Sequence, residues 1–189
     1  MAVDRSAPAG LFARLLGPRW LGLAESVRRF HVGTSPVRAA GVLCVRYGDR
    51  LWARVLARAA GLPPSGRAVP LQLTITPTAR GERWRRTFVG RWLTSFVRHT
   101  ASGLLAERFG LLEMWFRLEV NGTALVYRPA GGALRLGPLC LPLPHALVPF
   151  GHASERPEGG RLRIAVEVGW PFVGRLITYE GSFQAEQRP

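Results

Sequence analysis

Residues 161–168 read RLRIAVEV, and every second residue of this stretch is apolar. The alternation begins with Leu162 and ends with Val168, while the residues between them are arginine, alanine and glutamate. A period of two places the apolar residues on one face of a β-strand and the others on the opposite face. The stretch therefore predicts a half-buried strand and, around it, a sheet.

Further strand patterns, bounded by turn residues, lie on both sides of this stretch. They are the segments 41–47, 70–76, 82–89, 92–100, 104–109, 113–120, 123–128, 133–136 and 172–183. Asn121-Gly122 favours a two-residue hairpin, because both residues tolerate positive φ. Roughly nine or ten strands in succession are too many for a flat open sheet. The sequence therefore predicts an antiparallel β-meander that is strongly curved or closed into a barrel.

The N-terminal third has a helical period instead. Apolar residues between Leu11 and Phe30 recur at helical spacings and are interrupted by Gly17-Pro18, which predicts two short helices joined by a bend. Such helices, which also carry arginines, either cover or plug the sheet of their own protein or lie on a membrane surface. The first interpretation is favoured.

A third helix is predicted over residues 50–60, with Asp49 as its N-cap and Leu51 and Val55 on its apolar stripe. The fold class is then α+β, in one domain over residues 10–189. Its helical part covers residues 10–62 and the meander residues 69–185, while residues 1–9 are expected to form a mobile tail.

Arginine supplies the whole positive charge of the chain. All 26 basic residues are arginine, and the net charge is +14. A nucleic-acid surface gains from lysine as well as from arginine, so the absence of lysine favours a coding bias in a GC-rich bacterium. The arginines are dispersed, and no nucleic-acid recognition motif accompanies them. Nucleic acid is therefore not an expected partner, whereas an anionic membrane surface stays open.

Other signals in the sequence are negative. The N-terminus lacks a secretory signal, and no uninterrupted apolar run approaches the ~18 residues that cross a bilayer. Cys44 and Cys140 fit buried thiols, and the four histidines lack metal-ligand spacing. The chain also has no glycine-rich dinucleotide fingerprint. We therefore expect a cytoplasmic protein without a metal or another cofactor.

Several short motifs follow one another in a characteristic order. They include Arg29-Phe30-His31, Gly61-Leu62-Pro63-Pro64, Glu107-Arg108-Phe109-Gly110, Leu141-Pro142-Leu143-Pro144 and Tyr179-Glu180-Gly181. In this order they resemble the bacterial family called domain of unknown function 4166, over residues ~28 to ~183. Members of that family occur alone or fused to oxidoreductase domains of the saccharopine-dehydrogenase-like or epimerase-like kind. The resemblance therefore implies an oxidoreductase as a partner but no reaction.

Two positions depart from the family's pattern. The family's usual Gly-Arg-Phe-x-Phe-Asp run ends here in Ala165, and the histidine often found before the last proline is Trp170. If that aspartate or histidine were catalytic in relatives, this chain would be impaired. No catalytic residue is predicted.

Strand parity singles out Glu107 as a candidate site residue. Alternation places it on the face of Leu105 and Phe109, where an unpaired carboxylate would be costly to bury. Arg86 is the candidate partner, because it shares a face with Trp84 on a neighbouring strand. The pair is either a structural ion pair or a polar anchor within an apolar ligand pocket.

Two further residues complete the candidate site. Glu155 and Arg161 flank a turn, and an ion pair across that turn is the simpler interpretation. Tyr179 either presents its hydroxyl to a cavity or packs. The candidate ligand-binding residues are Trp84, Arg86, Glu107, Glu155 and Tyr179.

The leading hypothesis is a non-enzymatic module that binds an apolar small molecule or lipid inside the curved sheet. One alternative is an accessory or catalytic module that acts with an NAD-dependent oxidoreductase. The other is a peripheral membrane protein that attaches through the basic amphipathic helices between Leu11 and Phe30.

Overall fold

The computed structural model describes residues 10–186, and the tail predicted over residues 1–9 lies outside this range. Eleven strands are present, and all their pairings are antiparallel. They are β1 Val37–Tyr47, β2 Gly66–Thr78, β3 Gly81–Phe88, β4 Arg91–His99, β5 Leu105–Phe109, β6 Leu112–Asn121, β7 Ala124–Leu136, β8 Leu139–Pro142, β9 Phe150–Glu158, β10 Arg161–Trp170 and β11 Gly174–Ala185. The helices are α1 Leu11–Leu16, α2 Glu25–Arg28 and α3 Leu51–Ala59, with 3-10 turns at Gly17–Gly22, Arg29–His31 and His145–Leu147.

Ten of the strands close into a barrel, which confirms the predicted curved meander. The strands follow the order β6-β5-β4-β3-β2-β1-β11-β10-β9-β7, and β6 pairs with β7 to complete the ring. β8 pairs with the end of β7 and stays outside the ring. Register shifts interrupt three of the strand pairs, as expected where a sheet must bend to close.

The N-terminal helical segment fills one end of the barrel. Its apolar side chains are buried in the same core as the inward-facing side chains of the strands. They are Leu11, Phe12, Leu16, Leu23, Val27 and Phe30. The backbone N–H of Ala24 donates to the carbonyl of Thr123 (3.0 Å), which ties the segment to the β6–β7 turn. The helices thus plug their own sheet, and these side chains are not available to a membrane.

The two ends of the barrel therefore differ. The proximal end holds the helical plug and the turns β2–β3, β4–β5, β6–β7 and β9–β10. The distal end holds α3 between β1 and β2, and the turns β3–β4, β5–β6, β7–β8 and β10–β11. Within residues 10–186, no helix is both long and apolar enough to span a membrane.

Some local predictions were wrong. Residues 150–158, which were not assigned to a strand, form β9, and the segments 123–128 and 133–136 belong to one strand, β7. Asp49 does not cap α3, because Arg50 occupies the N-cap and no side chain makes a capping bond there. α3 also buries the small side chains of Ala53 and Ala57, whereas its leucine and valine stripe faces solvent.

Candidate functional site

A charged pair crosses the interior of the barrel between β3 and β5. The Nη2 of Arg86 donates to Oε1 of Glu107 (2.8 Å), and its Nη1 donates to Oγ of Ser95 (2.9 Å). Ser95 in turn donates to the same carboxylate oxygen (2.6 Å). The ion pair predicted from strand parity is therefore present, and Ser95 is an additional member that the sequence did not reveal.

Aromatic rings hold the guanidinium of Arg86 in place. Its central carbon lies 5.1 Å from the ring centroid of Trp84 and 5.8 Å from that of Phe109. Burial lowers the pKa of Arg86, but the Glu107 carboxylate and the neighbouring Tyr179 and Tyr127 together outweigh this effect and the pKa is raised. Arg86 is thus a fixed cation, and Trp84 lies beside it.

A second polar cluster lies deeper, beside the plug. Nε2 of His31 shares a hydrogen bond of 2.6 Å with Oε2 of Glu155, and the hydroxyl of Tyr127 donates to Oε1 of Glu155 (2.7 Å). The predicted turn contact between Glu155 and Arg161 is therefore wrong. Glu155 lies within β9 and points into the barrel, where it binds a residue 124 positions away in the chain.

The aromatic ring of Phe12 closes this second cluster. Its centroid lies 3.9 Å from that of His31, and both side chains are buried. Burial raises the pKa of Tyr127, and the neighbouring Glu155 carboxylate raises it further. A histidine paired with a carboxylate is a common acid–base arrangement, but this one is enclosed by the chain itself. The cluster is therefore suited to holding the plug rather than to meeting a ligand.

Glu82 is a third interior carboxylate. Its Oε2 accepts from the indole N–H of Trp84 (2.8 Å), while its buried Oε1 has no partner among the described residues. Burial raises the pKa of Glu82 despite this hydrogen bond and the nearby His31. Burial therefore favours the protonated acid at this position.

The first cluster is more accessible than its neighbours along the strands. The side chains of Arg86 and Glu107 keep 13% and 15% of their surface accessible. Trp84 and Phe88, which face inward two residues before and after Arg86, are both buried. Some accessible surface therefore remains on these two inward-facing side chains, whereas their neighbours on β3 are covered.

The same pattern appears on two other strands. On β2, Leu73 is half-buried, whereas Leu71 and Ile75 on either side of it are buried. On β11, Tyr179 is half-buried next to the fully buried Ile177, and burial still raises the pKa of the Tyr179 hydroxyl. We call the half-buried inward-facing residues Leu73, Arg86, Glu107 and Tyr179 the central layer.

Two concave grooves also lie on the outside of the barrel wall. One, of about 1050 Å³, runs over β1, β10 and β11 and is lined by residues such as Arg163 and Glu180. The other, of about 370 Å³, extends to β7 and β9 and includes His152 and Tyr179. The other four predicted site residues, all within the described chain, line neither groove. Apart from Tyr127 and Tyr179, which border the second groove, the residues of the charged interior are separate from the outer grooves.

An ion cluster on the outer wall was not predicted. The buried Glu113 accepts from Arg98 (2.8 Å), Arg135 (3.2 Å) and the indole of Trp115 (2.9 Å). Burial raises the pKa of Glu113, but these donors outweigh it and the pKa is lowered. The two arginines come from β4 and β7, whereas Trp115 lies on the same strand as Glu113. The cluster therefore joins three strands. Within residues 10–186, no three His, Cys, Asp or Glu side chains are placed to hold a metal ion.

These features define a class of protein: a closed antiparallel barrel of ten strands, plugged at one end by its own N-terminal segment and carrying ion pairs inside. The family model described as domain of unknown function (DUF4166) matches residues 23–183, and the chain belongs to this family. The resemblance drawn from the order of motifs is thereby confirmed. No curated protein matches the chain.

Proposed function

We propose that this protein binds an apolar small molecule or a lipid inside the barrel, at the central layer. The observation that carries the proposal is the accessible surface of the central layer, which buried side chains flank on both sides on β2 and β3. A well-packed interior leaves few voids larger than a water molecule. Space that is retained next to a fixed charged group is a common property of ligand pockets.

The walls of this space are mainly apolar. Leu73 on β2 and Leu93 on β4 lie on either side of Arg86, since each is its register partner on an adjacent strand. Phe109 faces the guanidinium, and Tyr179 approaches it from β11, three strands away in the ring. A ligand here would bury an apolar body against these side chains and gain about 25 cal/mol for each Å² removed from water.

Arg86 supplies the polar anchor. Of the five N–H donors that a guanidinium carries, two go to Ser95 and Glu107. Those that remain require an acceptor from water or from a ligand. Because Glu107 already balances the charge of Arg86, a neutral acceptor such as a hydroxyl or carbonyl fits better than a second carboxylate. The ligand class is therefore an apolar molecule with one neutral polar group.

Native mass spectrometry of gently purified protein tests the proposal directly. We expect the wild type to carry a co-purifying small molecule and Leu73→Phe to carry less of it, because the larger ring fills the central layer. Gln72→Phe is the matched control, since Gln72 is the exposed neighbour on the same strand. Equal ligand loads in the two variants would contradict the proposal.

Direct binding of a fluorescent probe tests the role of Arg86 as the polar anchor. Cis-parinaric alcohol combines a long apolar chain with a neutral hydroxyl. We expect Arg86→Met to weaken its binding by about tenfold, the effect of losing a hydrogen bond to a charged donor. Arg85→Met on the outer face of the same strand should bind as the wild type does. No binding of the probe to any form would contradict the proposed ligand class.

The alternative role beside an NAD-dependent oxidoreductase stays a prediction. It is based on the fused relatives alone, and no contact or surface described above favours it.

A further inference from the structure

The exposed apolar side chains of this protein are concentrated at the distal end of the barrel. Among residues 10–186, all large exposed apolar side chains except Leu21, Val32 and Val42 lie in the distal connections or next to them. They project from α3 and from the turns β3–β4, β5–β6, β7–β8 and β10–β11. The proximal end, in contrast, uses its apolar residues to fill the barrel.

α3 has an unusual orientation for a helix of a soluble domain. It packs through Ala53 and Ala57, which are fully buried, and leaves Leu51 and Trp52 70% and 71% exposed. Just before the helix, the backbone at Gly48 lies close to the start of β11, since a Cβ on Gly48 would lie 1.8 Å from the carbonyl oxygen of Arg175. The small face is thus used for packing, and the large apolar face is left exposed by the other residues of the range 10–186.

Phe172 extends this apolar surface beyond the helix. It lies in the β10–β11 turn, is 80% exposed, and adopts a φ of +70°, which is unfavourable for a bulky residue. Nη1 of Arg50 donates to its carbonyl oxygen (3.2 Å), which links the turn to the start of α3. An exposed aromatic ring in a strained backbone conformation suggests a function for its position.

The distal connections are also basic. The segments 48–65, 88–92, 109–112, 134–149 and 170–175 contain one acidic residue, Asp49, which lies 3.7 Å from Arg175. The arginines of these segments are Arg50, Arg54, Arg58, Arg91, Arg135 and Arg175. Arg135 is bound to Glu113 and Arg175 lies beside Asp49, so the other four are the candidates for binding headgroups. The distal end thus combines exposed tryptophan, phenylalanine and leucine with arginine. Surfaces that lie in the headgroup region of a membrane have this composition.

We infer that the distal end is a peripheral docking surface for an anionic lipid membrane. The aromatic and leucine side chains enter the headgroup boundary, and the arginines bind acidic headgroups. Protein interfaces are also rich in aromatic residues and arginine, so a second copy of the chain is the competing occupant that the test below must exclude. The arrangement does not depend on ligand binding inside the barrel, although it would place the distal end against a source of lipid.

Vesicle flotation tests this inference on the full chain. The wild type should float with vesicles of phosphatidylcholine and phosphatidylglycerol, remain unbound with phosphatidylcholine alone, and bind less at high salt. The double variant Leu51→Ser/Trp52→Ser should lose about tenfold or more in affinity, because burial of one large apolar side chain is worth at least that factor.

Leu21 provides a matched control. It is 73% exposed but lies at the proximal end, so Leu21→Ser should bind as the wild type does. The inference is overturned if the wild type does not bind the anionic vesicles, or if Leu21→Ser loses as much affinity as the distal variant. It is also overturned if gel filtration shows that the distal substitutions dissociate a dimer, because the surface would then contact a second copy.

The two proposals fail separately. Arg86→Met should leave flotation unchanged, and Leu51→Ser/Trp52→Ser should leave binding of cis-parinaric alcohol in detergent-free solution unchanged. The melting temperature of each variant shows whether it is folded.

Discussion

Replacing Arg86 and Glu107 singly and together should destabilise the barrel by unequal and non-additive amounts. Removal of one partner from a buried ion pair leaves an uncompensated charge and costs about 3–5 kcal/mol. Because the two side chains keep 13% and 15% of their surface accessible, some water reaches the remaining charge. We therefore expect the lower end of that range, about 3 kcal/mol, for Glu107→Met.

The double variant should recover most of this loss. With both charges replaced by methionine, the interior is apolar at this position, and such replacements are often neutral or stabilising. Ser95 then loses both of its partners, which costs about 1 kcal/mol. The difference between Glu107→Met and the double variant is about 2 kcal/mol. The expected coupling energy is this difference plus the cost of Arg86→Met alone, so it is at least about 2 kcal/mol.

The two single variants should also respond differently to pH. An unpaired Glu107 can avoid the cost of burial by taking up a proton, whereas an unpaired Arg86 cannot lose its proton. The destabilisation by Arg86→Met should therefore shrink as the pH is lowered into the acid range. The destabilisation by Glu107→Met should change little over the same range.

Urea unfolding of the four proteins, followed by tryptophan fluorescence at several pH values, measures these effects. The exposed pair of Arg128 and Glu119 is the control, because its side chains are 54% and 42% exposed and its N–O distance is 3.2 Å. Its coupling should be about 0.2–1 kcal/mol. A coupling of that size between Arg86 and Glu107 would refute the assignment of a strong interior pair.

Three further substitutions test the barrel interior. Phe12→Ala should lower the free energy of unfolding by about 3–5 kcal/mol in a denaturant titration, because the ring is fully buried within the plug; a loss below about 1 kcal/mol would contradict this packing. Burial raises the pKa of Glu82 in the folded state, so the free energy of unfolding should fall as the pH rises from the ordinary pKa of a glutamate to this higher value. Glu82→Gln cannot ionise, so melting temperatures measured over a series of pH values should not show this fall. Tyr127→Phe should lower the free energy of unfolding by about 2 kcal/mol in a denaturant titration, since it removes a hydrogen bond of 2.7 Å to the Glu155 carboxylate. An unchanged free energy of unfolding would show that this bond contributes little.

Contacts between strands that follow one another in the chain could be predicted from the sequence. Alternation determines the face on which each residue lies, and a meander places β3, β4 and β5 side by side. Glu107 and Arg86 are 21 positions apart in the chain, and their shared face was sufficient to pair them. Long-range contacts offer no such signal. The bond between His31 and Glu155 depends on the closure of the ring and on the entry of the plug, neither of which has a local pattern.

The failure to predict β9 from the sequence has a physical explanation. Its inward positions include Gly151 and Ala153, so the alternation of large apolar and polar residues is absent. A larger side chain there would crowd two neighbours, because a Cβ would lie 2.9 Å from Cε of Met114 and 3.3 Å from a ring carbon of Phe116. Neighbouring strands fill this part of the interior, and β9 contributes backbone to the barrel wall instead of apolar side chains.

The two polar clusters inside the barrel differ in accessibility, and we infer that they differ in role. His31, Glu155 and Tyr127 are buried around Phe12, and their bonds join the plug to β7 and β9. A stable interior does not require buried ion pairs, since apolar residues of similar volume would serve at least as well. The deeper cluster is accounted for by the register that it gives to the plug. Arg86 and Glu107 hold no such distant segment, and their surfaces remain partly accessible. On the same measure, the side chains of Arg86 and Glu107 keep 13% and 15% of their surface accessible, against 1% and 10% for His31 and Glu155. We therefore place the proposed ligand at the central layer and not at the histidine.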